Sequence, residues 1–316
     1  MEEENRKKGK SLKILAIQMS SIIGDKWENF AKIADLIEKN IKKGTDIIIL
    51  PEVWNVGWKP SEFEDSAEDL ENSETIEFLS ELAQRYNVNI IGGSFIRKGK
   101  REKEKGKGNS SLLTTHHSLF NTCPVFNRNG ELIATYDKMH LFSYYGCDEG
   151  KYIKHGKNPV LVDIDGVKIG LSLCYDIRFP EIYRAYRKAG ADLLINMAAW
   201  PKSRAIHWEA LSKARAIENQ CFMVALTQSG LIEGDEYNLG HSRIIDYNGE
   251  VIAEISTPHT SLPSTSILLR KGGGRLINGN TEGAMFAEIK FEKMYKFREK
   301  CTVLNDICDE YIVKKN

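Results

Sequence analysis

Short apolar runs alternate along the chain with longer segments that carry a single apolar stripe. The short runs predict buried strands over 12–19, 45–50 and 88–96, and the striped segments predict helices over 27–43 and 73–86. This β-α-β-α-β order is typical of a sheet that is faced by helices.

The same alternation continues through the rest of the chain, with helices predicted over 180–188 and 205–219. Further strands are predicted over 118–127, 131–138, 159–164, 167–174, 192–197, 221–228, 242–247, 251–255 and 285–291. We therefore expect one layered α/β domain over 11–297, with a charged N-terminal tail over 1–10 and a C-terminal tail over 298–316.

Two segments interrupt this pattern. Residues 97–108 read R-K-G-K-R-E-K-E-K-G-K-G, which has no apolar face, so a mobile, lysine-rich hairpin loop is predicted over 97–117. Such an isolated charge run favours a solvated loop over a nucleic-acid site. Residues 257–283 contain K-G-G-G-R but not the G-x-x-x-x-G-K-[ST] of a phosphate loop, and they predict a flexible insertion.

Charge is balanced over the whole chain. Lys plus Arg total 44 and Asp plus Glu total 44, so no overall field attracts nucleic acid or an anionic membrane. The first ten residues, M-E-E-E-N-R-K-K-G-K, lack the apolar core of a signal peptide, and no window approaches the roughly 18 apolar residues of a membrane span. We expect a soluble, cytoplasmic protein whose partner is a small molecule rather than nucleic acid or a membrane.

The six cysteines show no close C-x-x-C pairing, which predicts reduced thiols. The seven histidines form no zinc-binding motif with them, so no metal is expected. Cys147 stays undecided, and four other cysteines are expected to be small buried hydrophobic residues: Cys123, Cys221, Cys301 and Cys308.

Three reactive side chains come directly after strand-like runs. Glu52 follows I-I-I-L-P, Lys138 follows the apolar residues of 132–136, and Cys174 ends L-S-L-C. Ligands of α/β proteins commonly bind at the carboxyl ends of strands. Because a thiol nucleophile needs a base and a stabilising positive charge, Glu52 can supply the first and Lys138 the second.

These blocks resemble the nitrilase, or carbon-nitrogen hydrolase, superfamily over about 12–297. The resemblance implies an α-β-β-α sandwich that dimerises, or forms a higher homo-oligomer, through a four-layer α-β-β-α-α-β-β-α assembly. It also implies Cys174 as nucleophile, Glu52 as general base and Lys138 as the group that stabilises the tetrahedral intermediate. A second glutamate of the family maps best to Glu149 in C-D-E-G-K-Y, and no cofactor is implied.

Two further blocks resemble the omega-amidase group: C-Y-D-I-R-F-P-E and N-M-A-A-W-P-K-S-R-A-I-H-W-E. The implied reaction is hydrolysis of a 2-oxo-dicarboxylate monoamide to a carboxylate and ammonia through a cysteine thioester. The backbone N–H of Tyr175 would donate to the oxyanion, and Trp200 and His207 would lie near the substrate pocket. Arg204 is the candidate for the distal carboxylate, with an ion pair to a surface acid as the alternative.

Other interpretations remain open. Within the superfamily the substrate could be deaminated glutathione, another larger amide, or a nitrile. A cysteine peptidase would need one of three histidines to activate Cys174, namely His140, His207 or His241. A different class is a catalytically silent dimeric scaffold, which the presence of all three reactive groups disfavours.

Several neighbouring polar residues also have predicted roles. Asp176 and Arg178 either hold the loop after the nucleophile or touch substrate, and the loop role is favoured. Arg215 and Glu218 are expected to pair at i, i+3 on one helix. His241 is expected at a sheet edge with its hydrogen bonds satisfied.

Overall fold

The strand Ser11–Gln18 (β1) lies in a sheet that is covered on both faces. In the computed structural model, which describes residues 9–104, 114–144, 148–233, 236–255, 275–277 and 280–308, Leu12 and Ile14 contact a core between two sheets. Leu15 and Ile17 contact a second core, beneath helices. Neighbouring side chains of a strand point to opposite faces, so β1 contributes to both cores.

The first sheet contains eight strands. They are β1 with β2 (Ile47–Ile49), β3 (Asn89–Ile91), β4 (Phe95–Glu104), β5 (Thr114–Phe126), β6 (Leu132–Asp137), β15 (Arg275–Ile277) and β16 (Asn280–Lys290). Their order is β15-β16-β1-β2-β3-β5-β4, with β6 also paired to β5. β1, β2 and β3 are parallel, so the carboxyl ends of these three strands share one edge.

The second sheet contains six strands. They are β7 (Leu161–Ile164), β8 (Val167–Leu173), β9 (Leu193–Ala198), β10 (Phe222–Thr227), β13 (Ser242–Ile245) and β14 (Val251–Ile255), in the order β14-β13-β10-β9-β8-β7. A separate two-stranded sheet pairs β11 (Leu231–Glu233) with β12 (Glu236–Tyr237). β8, β9 and β10 are parallel, so this sheet also gathers strand ends at one edge.

Helices cover the outer face of each sheet. The first sheet is covered by α1 (Lys26–Asn40) and α3 (Glu74–Tyr86), and the second by α4 (Pro180–Lys188) and α5 (Ala205–Asn219). A short α2 (Phe63–Ser66) and a C-terminal α6 (Glu292–Lys300) complete the helices of the described ranges. The α-β-β-α sandwich is therefore confirmed, and α4 and α5 have the predicted bounds.

The strand predicted over 88–96 was wrong, because two strands with different partners occupy this range. β3 runs parallel to β2, whereas β4 runs antiparallel to β5. Gly93, at φ +64°, separates them, and a Cβ there would collide with the carbonyl oxygen of Pro51. The glycine thus allows the turn to approach the segment that ends at Glu52.

The lysine-rich loop predicted over 97–117 was wrong at both ends, since β4 extends to residue 104 and β5 begins at residue 114. Pairing with β5 supplies the order that the polar sequence lacks. The intervening residues 105–113 lie outside the described residues, as do 257–274 and 278–279 of the predicted insertion. The end of that insertion forms β15 and the start of β16.

The C-terminal boundary predicted at 297 falls within α6. Arg298 of this helix donates to Asp192 and to the carbonyl of Gln220, so the helix packs on the domain. No helix among the described segments is long and apolar enough to cross a membrane.

The cysteines differ in exposure. Cys123 and Cys221 are buried as predicted, but Cys301 is partly exposed and Cys308 is exposed. The prediction for Cys308 was wrong, because this residue lies after α6 and is exposed. Cys147 lies outside the described residues.

Candidate active site

Glu52 lies three residues after the end of β2 and is itself fully buried. Its carboxylate accepts hydrogen bonds on both oxygens: Oε1 from Asn121 Nδ2 at 2.9 Å, and Oε2 from the backbone N–H of Ala199 at 2.8 Å. Ala199 follows β9 of the other sheet, so the carboxylate bridges the two halves of the sandwich. The side chain is held rigidly and is not the exposed strand-end carboxylate that sequence alone would have allowed.

Lys138 follows β6 and is also fully buried. Its Nζ lies 2.9 Å from Glu52 Oε1 and 3.0 and 2.9 Å from the two oxygens of Glu149. The ring of Trp58 covers the ammonium group, with its centroid 4.9 Å from Nζ. A buried charge needs an opposite charge nearby, and the two carboxylates supply it. Lys138 is therefore an internal part of the site and not a surface lysine.

Glu149 begins the short 3₁₀ helix Glu149–Lys151 and is fully buried. Besides the contact with Lys138, its Oε2 accepts from the backbone N–H of Phe142 at 2.8 Å, and its own N–H donates to the Phe142 carbonyl. These bonds place the carboxylate against Lys138 from a loop whose length could not be predicted. The structure thus brings Glu149 into the same cluster as Glu52 and Lys138.

Cys174 directly follows β8 and opens the 3₁₀ helix Cys174–Arg178. Its φ of 41° is left-handed, a region that side chains with a Cβ seldom adopt and that often marks a functional turn. The thiol is 8% exposed, contacts the Glu52 carboxylate, and lies 3.9 Å from the carbonyl oxygen of Ala199. Cys174 and Glu52 therefore both contact Ala199, at the carboxyl end of β9.

Asp176 stabilises the turn that carries Cys174. Its Oδ2 accepts from the N–H of Leu173 at 2.8 Å and from the Tyr136 hydroxyl, while Oδ1 accepts from the N–H of His140 at 2.9 Å and contacts its Nδ1. The predicted loop-holding role of Asp176 is confirmed. The predicted Arg215–Glu218 pair is also confirmed, with Nη1 and Oε1 2.7 Å apart.

Burial and charge set the protonation of this cluster. Burial would lower the pKa of Lys138, but the charges of Glu149 and Glu52 hold that pKa well above its ordinary value. Burial and the charge of Glu52 raise the pKa of the Cys174 thiol well above its usual range, and burial raises the pKa of Glu149. At rest, therefore, Lys138 is a cation and Cys174 a neutral thiol that must lose a proton to react.

Aromatic side chains surround the nucleophile. Tyr175 packs edge-on against Phe142 and Phe179, with centroids 5.5 and 5.3 Å away. The guanidinium of Arg178 lies 5.7 Å from the ring centroid of Tyr175 and 5.0 Å from that of Trp200. Trp200 is buried, so this wall is fixed by packing.

The other predicted substrate contacts lie next to this wall. His207 Nδ1 is 3.2 Å from Nη2 of Arg178. Arg204 ends the 3₁₀ helix Lys202–Arg204, and its carbonyl accepts from the indole N–H of Trp200 at 2.9 Å. The structure thus links Arg204 and His207 to the wall through Trp200 and Arg178.

The three histidines considered for a peptidase have other partners. His140 contacts Asp176, His207 contacts Arg178, and His241 lies 3.2 Å from Glu254 Oε2. The thiol of Cys174 instead contacts Glu52. His241 is nearly buried at the end of the second sheet with its hydrogen bonds satisfied, as predicted.

Residues that sequence reasoning missed complete the site: Asn121, Trp58 and Phe142. Asn121 lies on β5 among buried residues of both faces, where a buried asparagine in a strand could have signalled a functional contact. Trp58 and Phe142 lie in loops, and nothing in the sequence indicated their contacts. In the described ranges, no group of three or more His, Cys, Asp or Glu side chains is arranged to hold a metal ion.

A cavity of about 880 Å³ lies elsewhere, at the amino end of β9, and contains none of these groups. Cationic and anionic side chains line it in equal number: Lys10, Lys168, Arg187 and Arg298 with Asp163, Asp165, Asp192 and Glu299. The reactive cluster at Cys174, rather than this groove, defines the candidate active site.

Comparison with known proteins gives consistent matches. A family model described as carbon-nitrogen hydrolase matches residues 13–267. The chain is 38% identical over 226 residues to a "Hydrolase in agr operon" of Staphylococcus lugdunensis, covering 71% of this chain and 88% of that one. It is 32% identical over 294 residues to the 2-oxoglutaramate amidase of Bacillus subtilis, covering 93% and 96%.

Among solved structures, the chain is similar to a carbon-nitrogen hydrolase superfamily protein of Xanthomonas campestris that holds an arsenic adduct in its active site. The TM-score is 0.75 and the identity 26%, over 96% of this chain and 100% of the other. The similarity extends over both sheets and their covering helices.

Proposed function

Since the chain belongs to the carbon-nitrogen hydrolase family, we propose that it is an omega-amidase that hydrolyses 2-oxo-dicarboxylate monoamides to a carboxylate and ammonia. The observation that carries the proposal is the buried Glu52–Lys138–Glu149 cluster in contact with the Cys174 thiol. The similarity to a 2-oxoglutaramate amidase across 93% of the chain supports this substrate class.

The first half-reaction forms a thioester. Glu52 takes the proton of the Cys174 thiol as Sγ attacks the amide carbon, and the carbonyl oxygen becomes an oxyanion. Lys138 and the backbone N–H of Tyr175 stabilise this oxyanion. When the C–N bond breaks, Glu52 returns the proton to the leaving nitrogen, which departs as ammonia.

The second half-reaction restores the enzyme. Water attacks the thioester carbon and gives a proton to Glu52, and the C–S bond then breaks. Glu52 passes this proton to the Cys174 sulfur, and the acid product loses its remaining proton to solvent and leaves as a carboxylate. The two half-reactions use the cluster, the backbone N–H of Tyr175 and water.

Glu149 has a distinct role in this scheme. Lys138 already makes three short contacts with carboxylate oxygens, so it can reach an oxyanion only by giving one of them up. Both carboxylate oxygens of Glu149 contact Lys138 Nζ, so one of these two contacts can break while the other is kept. Glu149 therefore positions Lys138 while leaving it able to donate to the intermediate.

A short dicarboxylate monoamide carries a second carboxylate, which needs a cation at the pocket wall. Arg204 is proposed for this role, because a guanidinium matches a carboxylate in a two-pronged hydrogen-bonded pair. Its backbone is fixed by Trp200, which supports a defined position near the wall. Arg178 is the alternative cation, since it lies between Tyr175 and Trp200.

We expect Arg204→Ala to raise KM for a carboxylate-bearing amide by about 10–100-fold with a smaller change in kcat, since a charged hydrogen bond to substrate contributes about 1.5–3 kcal/mol. KM for a neutral amide of the same length should stay unchanged. Steady-state ammonia release from the two amides measures both. If Arg178→Ala shows this selective KM effect and Arg204→Ala does not, the carboxylate role passes to Arg178.

The substrate class itself is tested by ammonia release from short ω-amides, larger amides such as deaminated glutathione, nitriles and carbamoyl amino acids. We expect the highest kcat/KM for the short 2-oxo ω-amides and no turnover by Cys174→Ala. Cys123→Ala, which removes another buried thiol, should keep its activity. A preference for a larger amide or a nitrile would contradict the proposal, and inertness on the whole panel would favour a silent scaffold.

A homodimer and a cytoplasmic location remain predictions. Exposed apolar side chains on α5 support self-association, since Ile206 is 80% and Ile217 51% exposed. Buried thiols at Cys123 and Cys221 that form no disulfide are compatible with a reducing compartment.

A further inference from the structure

Asn121 contacts the proposed base directly but not the nucleophile. It lies on β5, fully buried, and its Nδ2 donates to Glu52 Oε1 at 2.9 Å. Its backbone carbonyl accepts from the N–H of Lys138 at 2.9 Å, which fixes the strand beside the lysine. The pairing of β5 with β6 thus places Asn121 beside both charged groups, with its side chain on Glu52 and its backbone on Lys138.

The donors of the Glu52 carboxylate are not equivalent during the reaction. Oε1 accepts hydrogen bonds from Asn121 Nδ2 and Lys138 Nζ, and Oε2 accepts one from the backbone N–H of Ala199. Lys138 is shared between Oε1, the two oxygens of Glu149 and, once the intermediate forms, the oxyanion. Asn121 is neutral and buried, so its hydrogen bond persists through that step.

The fold retains Asn121 at a cost. Its Oδ1 is buried without a hydrogen-bond partner among the described residues. An unpaired buried acceptor destabilises a fold, and an apolar side chain of similar size would avoid that penalty. An apolar replacement would also remove the hydrogen bond that Asn121 Nδ2 donates to Glu52.

We propose that Asn121 is a positioning residue that holds the Glu52 carboxylate in line with the Cys174 thiol while Lys138 engages the oxyanion. The inference rests on the proposed function only in taking Glu52 as the base. It adds a neutral hydrogen-bond donor, supplied by β5, to the charged groups of the site.

The ionisable groups that face Glu52 come from three elements. Lys138 approaches from the end of β6, Glu149 from the following 3₁₀ helix, and Cys174 from the end of β8. A carboxyl group introduced at position 121 would add a fourth. Two neighbouring carboxylates repel each other, so the introduced carboxyl would favour retention of one proton by the pair.

Two variants test the proposal. Asn121→Leu removes the donor, and we expect kcat to fall about 10–100-fold with KM nearly unchanged, since a misplaced base slows the chemical step without touching substrate. Asn121→Asp keeps the shape of the side chain but adds a carboxyl group. We expect the acidic limb of the plot of kcat/KM against pH to move to higher pH. Asn219 supplies the matched control, because it is fully buried and its Nδ2 donates to the Arg215 carbonyl.

Asn219→Leu and Asn219→Asp should lower thermal stability but leave kcat and the pH profile as in the wild type. The pH dependence of Cys174 alkylation by iodoacetate, followed by mass spectrometry, measures how readily the thiol loses its proton without any amide substrate. Asn121→Asp should shift the acidic limb of that pH dependence upward even if the proposed substrate class is wrong. Folded Asn121 variants with wild-type kcat and an unshifted alkylation profile would overturn the proposal.

Discussion

Lys138→Met should lower amide hydrolysis by at least about 10³-fold, because it removes the charge that stabilises the oxyanion. It should also lower the free energy of unfolding by about 3–5 kcal/mol, since two fully buried carboxylates lose their shared cation. Steady-state ammonia release and urea unfolding measure the two effects. A folded variant with near wild-type turnover would contradict the role given to Lys138.

The stability loss in Lys138→Met should depend on pH. Without the lysine, the carboxyl of Glu149 has a folded-state pKa above its unfolded value, because burial and the charge of Glu52 favour its protonated form. Such groups weaken the fold as pH rises through the interval above the unfolded pKa of about 4.3. The variant should therefore lie closer to the wild type near pH 4–5 than at pH 8.

Histidine variants complete this experiment. His140→Ala, His207→Ala and His241→Ala should each keep measurable hydrolysis, since their rings contact Asp176, Arg178 and Glu254 rather than the thiol. Loss of activity in one of them together with retention in Lys138→Met would favour a histidine-activated cysteine peptidase.

Glu52→Gln should reduce kcat by about 10²–10⁴-fold, the contribution of a general base. The pKa of the Cys174 thiol lies well above its ordinary value, so the thiol has no other route to ionise near neutral pH. The glutamine amide would also lose a hydrogen bond. Asn121 and Ala199 donate to the two oxygens of Glu52, so one of these donors would face the NH₂ group of the glutamine. Ammonia release and the intact mass of the protein after mixing with amide measure turnover and thioester formation.

The control for Glu52→Gln is Glu68→Gln. Glu68 is another buried carboxylate. It accepts hydrogen bonds from Ser73 and Thr75 at the start of α3 and pairs with Lys26 of α1. Its replacement should lower stability and leave kcat within a few-fold of the wild type. Equal losses in both variants would mean that the effect of Glu52→Gln is structural rather than chemical.

Much of the fold could be predicted because its signals are local. The apolar stripes of 180–188 and 205–219 predicted α4 and α5 with their observed bounds. The segment 97–104 could not be predicted as a strand, since its order comes from pairing with β5 rather than from its own side chains. Gly93 likewise separates two strands at a point where a Cβ would collide with the carbonyl oxygen of Pro51, a contact between distant residues that no local pattern records.

The candidate site divides in the same way. Glu52, Lys138 and Cys174 follow apolar runs, so their types and places at strand ends can be read in the chain, and motif resemblance added Glu149 and the family. Tertiary structure alone decided that Lys138 is fully buried between two carboxylates and that Asn121 and Trp58 complete its surroundings. The reason is physical: strand ends depend on neighbouring residues, whereas the pKa values and orientations of these groups depend on burial and on charges brought together from strands far apart in the chain.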